Sequence, residues 1–143
     1  MKKGTLYGLT PLVNETACGP DFYEEAKKSG HYIELDPAMS MEEAKEYANK
    51  MDVLYTDTWV DMEFFNNPAY QKQKEETLAK MMPYQLNGDF TKDSKAIVFH
   101  DMPMHVGFEI SQDVVDKNLD HILDEAENRR HAEKAVMYTL LNS

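Results

Sequence analysis

Short apolar segments alternate with helix-start signals along the chain, and this alternation limits the folds that the chain can adopt. Apolar segments of strand length occur at 5–9, 31–35, 53–56 and 96–99. A helical pattern follows each of them before the next apolar segment begins. Strands that alternate with helices usually pair in parallel within one sheet. The sequence therefore predicts an α/β fold with a parallel sheet.

The predicted helices begin at residues that cap helix N-termini. Asp21 with Glu24 and Ser40 with Glu43 match the capping box, and a long polar helix is predicted over 67–81. Ser111 is predicted to begin a short helix that ends near residue 118. A fifth strand is predicted at 121–123, and Asp124 with Glu127 would then begin the last helix.

Composition excludes several classes of protein. The 143 residues, 42% of them hydrophobic, suit one globular domain without an internal linker. A formal net charge of −11 repels a phosphate backbone, so nucleic acid is not an expected partner. Cys18 is the only cysteine, which excludes an intrachain disulfide. With no apolar run of membrane-spanning length and no leader pattern, we expect a cytoplasmic protein without a membrane partner.

Three predicted strands end in polar, reactive side chains. Ligands of open parallel sheets bind beyond the carboxyl ends of the strands, so these three segments are expected to line one crevice. The candidate residues there are Asp57, Asp61 and Met62 after the third strand, His100, Asp101 and Met102 after the fourth, and Arg129 after the fifth. Carboxylates in a crevice would favour a small molecule that carries an ammonium group.

Each candidate also has a simpler interpretation. Asp124 is a helix cap by its pattern, and Arg129 either holds an anion near a helix N-terminus or pairs with a neighbouring carboxylate. His100 could be a strand end bonded to backbone. Neither a helical His pair nor a Glu-x-x-His motif is present, so no metal site is predicted.

Four sequence segments resemble, in order and at matching spacing, motifs of the aspartate/ornithine carbamoyltransferases, above all the ornithine enzymes. Residues 53–62 resemble the segment D-x-W-x-S-M-G, and residues 84–87 resemble Y-Q-V-N. Residues 100–103 resemble H-C-L-P, with R-G-x-E-V-T matched at 107–111, and residues 124–129 read D-E-A-E-N-R throughout. The resemblance runs from about residue 21 to 141. It implies a three-layer, Rossmann-like parallel sheet with helices on both faces.

The resemblance also implies an activity. The family transfers a carbamoyl group from carbamoyl phosphate to an amine, commonly that of ornithine, without a metal or organic cofactor. By position, Asp57 corresponds to the aspartate that binds the α-amino group of ornithine, and Met62 lies in the substrate loop. His100 and Arg129 correspond to residues that hold the carbamoyl oxygen and carbamoyl phosphate. Asp101 stands at the position where the family has a cysteine beside the attacking amine.

The chain departs from the family pattern in two ways. Asp61, Glu63 and Asp101 replace a serine, a glycine and the cysteine, which adds acid near the amine site and puts ornithine specificity in question. The family's first-domain segments S-x-R-T and H-P-x-Q do not occur, nor does the G-D-x-x-N-V strand and helix that opens its second domain. We therefore expect residues 1–143 to be the ornithine/aspartate-binding-type domain, with the family's first strand and helix and its carbamoyl-phosphate-binding domain absent.

Two functions fit these observations. The first is the amino-acid-binding half of an ornithine-type carbamoyltransferase, inactive alone and completed by a first-domain chain or within a homo-oligomer. The second is a non-catalytic module that binds a small cationic amino acid or diamine, or serves as an interaction subunit.

Overall fold

The computed structural model describes residues 4–12 and 19–142, so Cys18 lies outside the described residues. The strands are β1 (Leu6–Gly8), β2 (Tyr32–Glu34), β3 (Val53–Tyr55) and β4 (Ile97–Phe99). They form two parallel pairs, β1 with β2 and β3 with β4. The predicted α/β class with parallel strands is confirmed. Within the described residues the hydrogen bonds divide the strands into two two-stranded sheets rather than joining them in one.

Within residues 4–12 and 19–142, six α-helices connect or follow these strands. They are α1 (Pro20–Lys28), α2 (Met41–Ala48), α3 (Met62–Phe65), α4 (Gln71–Met81), α5 (Gly88–Thr91) and α6 (Gln112–Leu141). The predicted capping box of α2 is present, because Ser40 accepts from the amide of Glu43 and the Glu43 carboxylate accepts from the amide of Ser40. The helix predicted at 67–81 is divided, with a 3₁₀ turn at Pro68–Tyr70 before α4.

The start of α1 differs from the prediction. Its N-cap is Gly19 and not Asp21, which falls within the first turn. Pro20 occupies the first helical position, where its missing amide hydrogen costs no helical hydrogen bond. With proline at that position, the N-cap lies two residues before the predicted one.

The fifth strand is not formed, and this prediction was wrong. Residues 121–123 lie in the middle of α6, a continuous helix of 30 residues, so Asp124 does not begin a helix either. The amide of Val98 on the outer edge of β4 donates instead to Oδ1 of Asn118 at 3.0 Å, and Nδ2 of Asn118 donates to the Val114 carbonyl at 2.9 Å. A helix side chain thus satisfies the strand edge that a fifth strand would have paired.

The main core lies between β4 and the first half of α6. It consists of Leu86, Val98, Ile110, Val114, Val115 and Ile122, with Leu54, Phe90, Met102 and Met104 packed against it. From residue 127 onward every described residue of α6 is exposed. The carboxyl ends of β3 and β4 are therefore fixed by a buried core, whereas the second half of α6 extends beyond it.

Candidate functional site

The carboxyl ends of β3 and β4 bring two of the predicted carboxylates together. Asp57 follows β3 by two residues and Asp101 follows β4 by two residues, and the paired register of the strands places them side by side. The two carboxyl groups are close enough for the charge of Asp57 to act on Asp101. The amide of Thr58 donates to Oδ1 of Asp57 at 2.6 Å and orients that side chain.

The environment of Asp101 disfavours its charged form. Partial burial raises the pKa of Asp101, and the neighbouring charge of Asp57 raises it further, while the adjacent His100 opposes the shift. Oδ1 of Asp101 lies 3.5 Å from Nδ1 of His100 but has no hydrogen-bond partner among the described residues. A cation bound between the two carboxylates would relieve both the repulsion and the unpaired oxygen.

Tyr55, the last residue of β3, interacts electrostatically with several charged groups. Partial burial and the negative charges of Asp101, Glu125 and Asp57 raise the pKa of Tyr55 to about 12, while the positive charge of Arg129 opposes them. α6 packs against β4, and the charges of Glu125 and Arg129 on this helix act on Tyr55. We call Tyr55, Asp57, Asp101, Glu125 and Arg129 the Tyr55 cluster.

Glu125 and Arg129 are the members of the cluster that lie in the middle of α6. They are four residues apart and so lie on one face of the helix. Oε2 of Glu125 is buried and has no hydrogen-bond partner within the described chain. Arg129 is exposed, and its Nε lies 3.3 Å from Oε1 of Glu133 one turn further on. Of the two readings of Arg129 from sequence, the structure shows the ion pair.

Residues 100–105, which we call the 100–105 loop, leave β4 with an unusual backbone. The Met102–Pro103 peptide bond is cis, and Met102 has a φ of 54°. His100 is fully buried, and its Nδ1 accepts from the amide of Met102 at 3.0 Å. His100 therefore does not reach the surface on which Asp57 and Asp101 lie. The hydroxyl of Thr58 donates to the Pro103 carbonyl at 2.8 Å and joins this loop to the end of β3.

The remaining predicted residues flank the cluster. Asp61 is the N-cap of α3 without a side-chain capping bond, and Met62 is an exposed first residue of that helix. The last residue of α3, Phe65, stacks on the ring of His105 with centroids 3.6 Å apart. Met102 packs against the core. The parts of Asp61, Met62 and Met102 in ligand binding stay predictions.

Sequence reasoning missed Tyr55 and Glu125 as site residues. Tyr55 was read only as part of a strand, although it directly precedes the polar segment that begins at Thr56. The capping pattern predicts a helix start at Asp124, which would place Glu125 in a first turn instead of in the middle of α6. Its spacing of four from Arg129 was the signal that both share a helix face.

The segment 84–87 serves the fold. The hydroxyl of Tyr84 donates to the Pro37 carbonyl at 2.8 Å, and Asn87 caps α5 by accepting from the amide of Phe90 at 2.9 Å. Nε2 of Gln85 donates to the carbonyls of Gly107 and Phe108. This segment thus holds the turn that precedes α6.

Among the described residues, the structure contains no group of three or more His, Cys, Asp or Glu side chains arranged to hold a metal ion. In the same part of the chain, no helix is long and apolar enough to cross a membrane.

Comparison with known proteins identifies the family. Residues 2–140 match the Asp/Orn binding domain of aspartate/ornithine carbamoyltransferases. The chain belongs to that family. An ornithine carbamoyltransferase of Chlorobaculum tepidum is 38% identical over 142 residues, which cover 96% of this chain and 40% of the relative. A catabolic ornithine carbamoyltransferase of Thermoplasma volcanium is 40% identical over 102 residues, 70% of this chain and 32% of the relative.

Solved structures agree with this assignment. An anabolic ornithine carbamoyltransferase of Campylobacter jejuni superposes with a TM-score of 0.72 at 26% identity, covering 96% of this chain and 43% of that chain. The Pyrococcus furiosus enzyme superposes with a TM-score of 0.66 at 30% identity, covering 94% and 41%. The chain has the Rossmann-like fold of these enzymes' domains and spans about two fifths of their length.

Proposed function

We propose that the chain binds a small amine, ornithine or a related amino acid or diamine, at the Tyr55 cluster. The observation that carries this proposal is the pairing of Asp57 with Asp101 at the carboxyl ends of β3 and β4. Glu125, whose charge also acts on Tyr55, adds a buried carboxylate oxygen that has no hydrogen-bond partner among the described residues. A substrate ammonium would neutralise the repulsion between Asp57 and Asp101. It would also donate hydrogen bonds to them, since ionised carboxylates only accept hydrogen bonds.

The amine would receive a carbamoyl group only when carbamoyl phosphate is held beside it. Holding two substrates together and stabilising the developing charge on oxygen accounts for such a transfer without a covalent intermediate. Arg129 carries the one positive charge of the Tyr55 cluster, and we infer that it leaves Glu133 to contact the carbamoyl phosphate. The groups that bind the rest of that anion would come from a carbamoyl-phosphate-binding domain.

The binding step is tested by calorimetry of the chain with ornithine, lysine and putrescine. We expect binding to be lost in Asp57→Asn, which removes the charge and keeps the shape of the side chain. The matched control is Asp52→Asn, an exposed carboxylate just before the start of β3, which should leave binding unchanged. Equal binding by both variants would contradict the site.

The transfer step is tested by complementation. The chain is mixed with the carbamoyl-phosphate-binding domain of a related ornithine carbamoyltransferase, carbamoyl phosphate and ornithine, and citrulline is measured. Arg129→Gln should abolish the product, and each component alone should give none. Citrulline formation at an unchanged rate in Arg129→Gln would remove Arg129 from the mechanism.

The second candidate is a non-catalytic module that binds the same amines. It is favoured by Asp101, which stands where the family has a cysteine. Amine binding together with an absence of citrulline under every complementation condition would support this candidate over the first.

A further inference from the structure

Glu109 is a buried carboxylate that no part of the proposed chemistry uses. It is 1% exposed and lies directly before Ile110 in the core. Its Oε1 accepts from the backbone amide of His105 and lies 3.3 Å from Nε2 of His100. Its Oε2 has no hydrogen-bond partner among the described residues. A buried carboxylate with half of its hydrogen-bonding capacity unused is costly and calls for an explanation.

The hydrogen bonds of His100 show which of its ring nitrogens donates to Glu109. Nδ1 accepts from the amide of Met102, so the proton of the neutral ring is on Nε2, which faces Glu109. One carboxylate oxygen therefore accepts from the ring of His100 and from the backbone of His105. These two residues are the two ends of the 100–105 loop.

The loop between those ends needs to be held. Met102 has a left-handed backbone, a conformation that a residue with a side chain rarely adopts, and Asp101 directly precedes it. The amide of Met102 is fixed by the same His100 ring that Glu109 orients. The direction of the Asp101 carboxylate thus depends on a ring that is itself held by Glu109.

The backbone of Glu109 is rigid enough to act as an anchor. Its carbonyl accepts from the amide of Leu86 at 3.0 Å, and the preceding carbonyls of Gly107 and Phe108 accept from Gln85. These bonds fix the turn before α6 through Leu86 and Gln85, which lie outside the 100–105 loop.

We propose that Glu109 is a positioning residue that fixes both ends of the 100–105 loop and so aims Asp101 at Asp57. This inference rests on the proposed amine site, which it deepens by naming what orients one of its two carboxylates. Glu109 contacts neither the amine nor carbamoyl phosphate. Its effect on binding passes through His100 and His105.

The test uses the full chain and three variants. Glu109→Ala removes both acceptor interactions, Glu109→Gln keeps an oxygen in their place, and Leu35→Ala removes a buried side chain outside the core that Glu109 adjoins. Amide hydrogen exchange at Met102 and His105 and the ring ¹⁵N signals of His100 report on the loop. Calorimetry with ornithine reports on the site.

In Glu109→Ala we expect amide exchange at Met102 and His105 to rise by about tenfold or more beyond any rise in Leu35→Ala. This is the size of effect expected from losing one hydrogen bond to a charged group. The Nε2–H form of His100 should be lost, and ornithine affinity should fall by about tenfold. Glu109→Gln should retain the tautomer, the protection and the affinity. If Glu109→Ala does not fold, Glu109→Asp is used in its place. Its side chain is shorter by one methylene, which withdraws the oxygen, so the same results are expected.

Two results would overturn the proposal. One is exchange at Met102 and His105 that rises equally in Leu35→Ala. The other is a loosened loop with unchanged ornithine affinity. Failure of the proposed function is distinct, because a wild-type chain that binds no amine still shows the His100 tautomer and the loop protection if Glu109 holds the loop.

Discussion

At the scale of single residues, Asp101 determines the electrostatics of the site. Burial and the charge of Asp57 raise the pKa of this carboxyl, so its ionised form is less favourable in the folded chain than in the unfolded chain. Above the raised pKa, Asp101 therefore destabilises the fold. That penalty disappears as the pH falls through the raised pKa, and it is zero where the group is protonated in both states.

Asp101→Asn should accordingly raise the midpoint of thermal unfolding at pH 7 by about 3 °C. The gain should shrink as the pH falls below the raised pKa of Asp101. Asp113→Asn is the control of opposite sign, because a hydrogen bond from Ser111 lowers the pKa of Asp113. That variant should lower the midpoint at pH 7, and a lower midpoint in Asp101→Asn would contradict the destabilising role.

Amine binding should depend on pH for the same reason. An ammonium ligand favours ionised Asp101, so affinity should increase as the pH rises through the raised pKa, by at most about tenfold per pH unit for one linked proton. Calorimetry in buffers of different ionisation heat measures the proton released. Asp57, Tyr55 and His100 interact with Asp101, while Glu125 and Arg129 interact with Tyr55. An unchanged pH dependence in Asp101→Asn would assign the linked proton to another of these.

The sequence shows why Asp57 and Asp101 lie together, but it does not show that His100 is buried. Asp57 and Asp101 follow apolar strands, and parallel pairing alone brings such residues to one edge. The buried ring of His100 contacts Glu109, which is nine residues away in the chain and follows the turn at Gly107. No local pattern encodes that contact.

At the scale of elements, α6 shows how a tertiary contact overrides a local signal. Residues 121–127 carry both a short apolar segment and a capping pattern, which together predicted a strand followed by a helix start. The helix continues through them because Ile122 is buried in the core and Asn118 satisfies the edge of β4. The hydrogen bond between Asn118 and Val98 joins residues that are twenty positions apart in the sequence.

Asn118→Ala should therefore lower the free energy of unfolding by about 1–3 kcal/mol, since it leaves the buried amide of Val98 without an acceptor. The control is Asn128→Ala on the exposed part of the same helix, which should change stability by less than about 0.5 kcal/mol. Urea unfolding followed by circular dichroism measures both. Equal effects would mean that helix propensity, and not the bond to Val98, makes position 118 important.

At the scale of the whole molecule, the second half of α6 presents apolar side chains to solvent. Val136, Met137, Tyr138 and Leu141 are between 55% and 85% exposed. Apolar side chains grouped on one helix segment favour association, against which the net charge of −11 acts by repulsion.

We expect the chain to self-associate more strongly as salt screens that charge, which is visible as a rise of mass in light scattering. The double variant Met137→Glu with Leu141→Glu should suppress the rise. The control adds the same charge elsewhere on the exposed surface, with Gln73→Glu and Asn128→Glu. Suppression by the control as well would show that net charge alone governs association.

The continuity of α6 has a mechanical consequence for Arg129. A helix of 30 residues is about 45 Å long, and Arg129 lies just past its middle, where the core ends. Because Arg129 lies on a continuous helix, a displacement of the far end of α6 would change the distance between its guanidinium and the carboxylates that follow β3 and β4. An event at the far end of α6 would in this way reach the cation of the Tyr55 cluster.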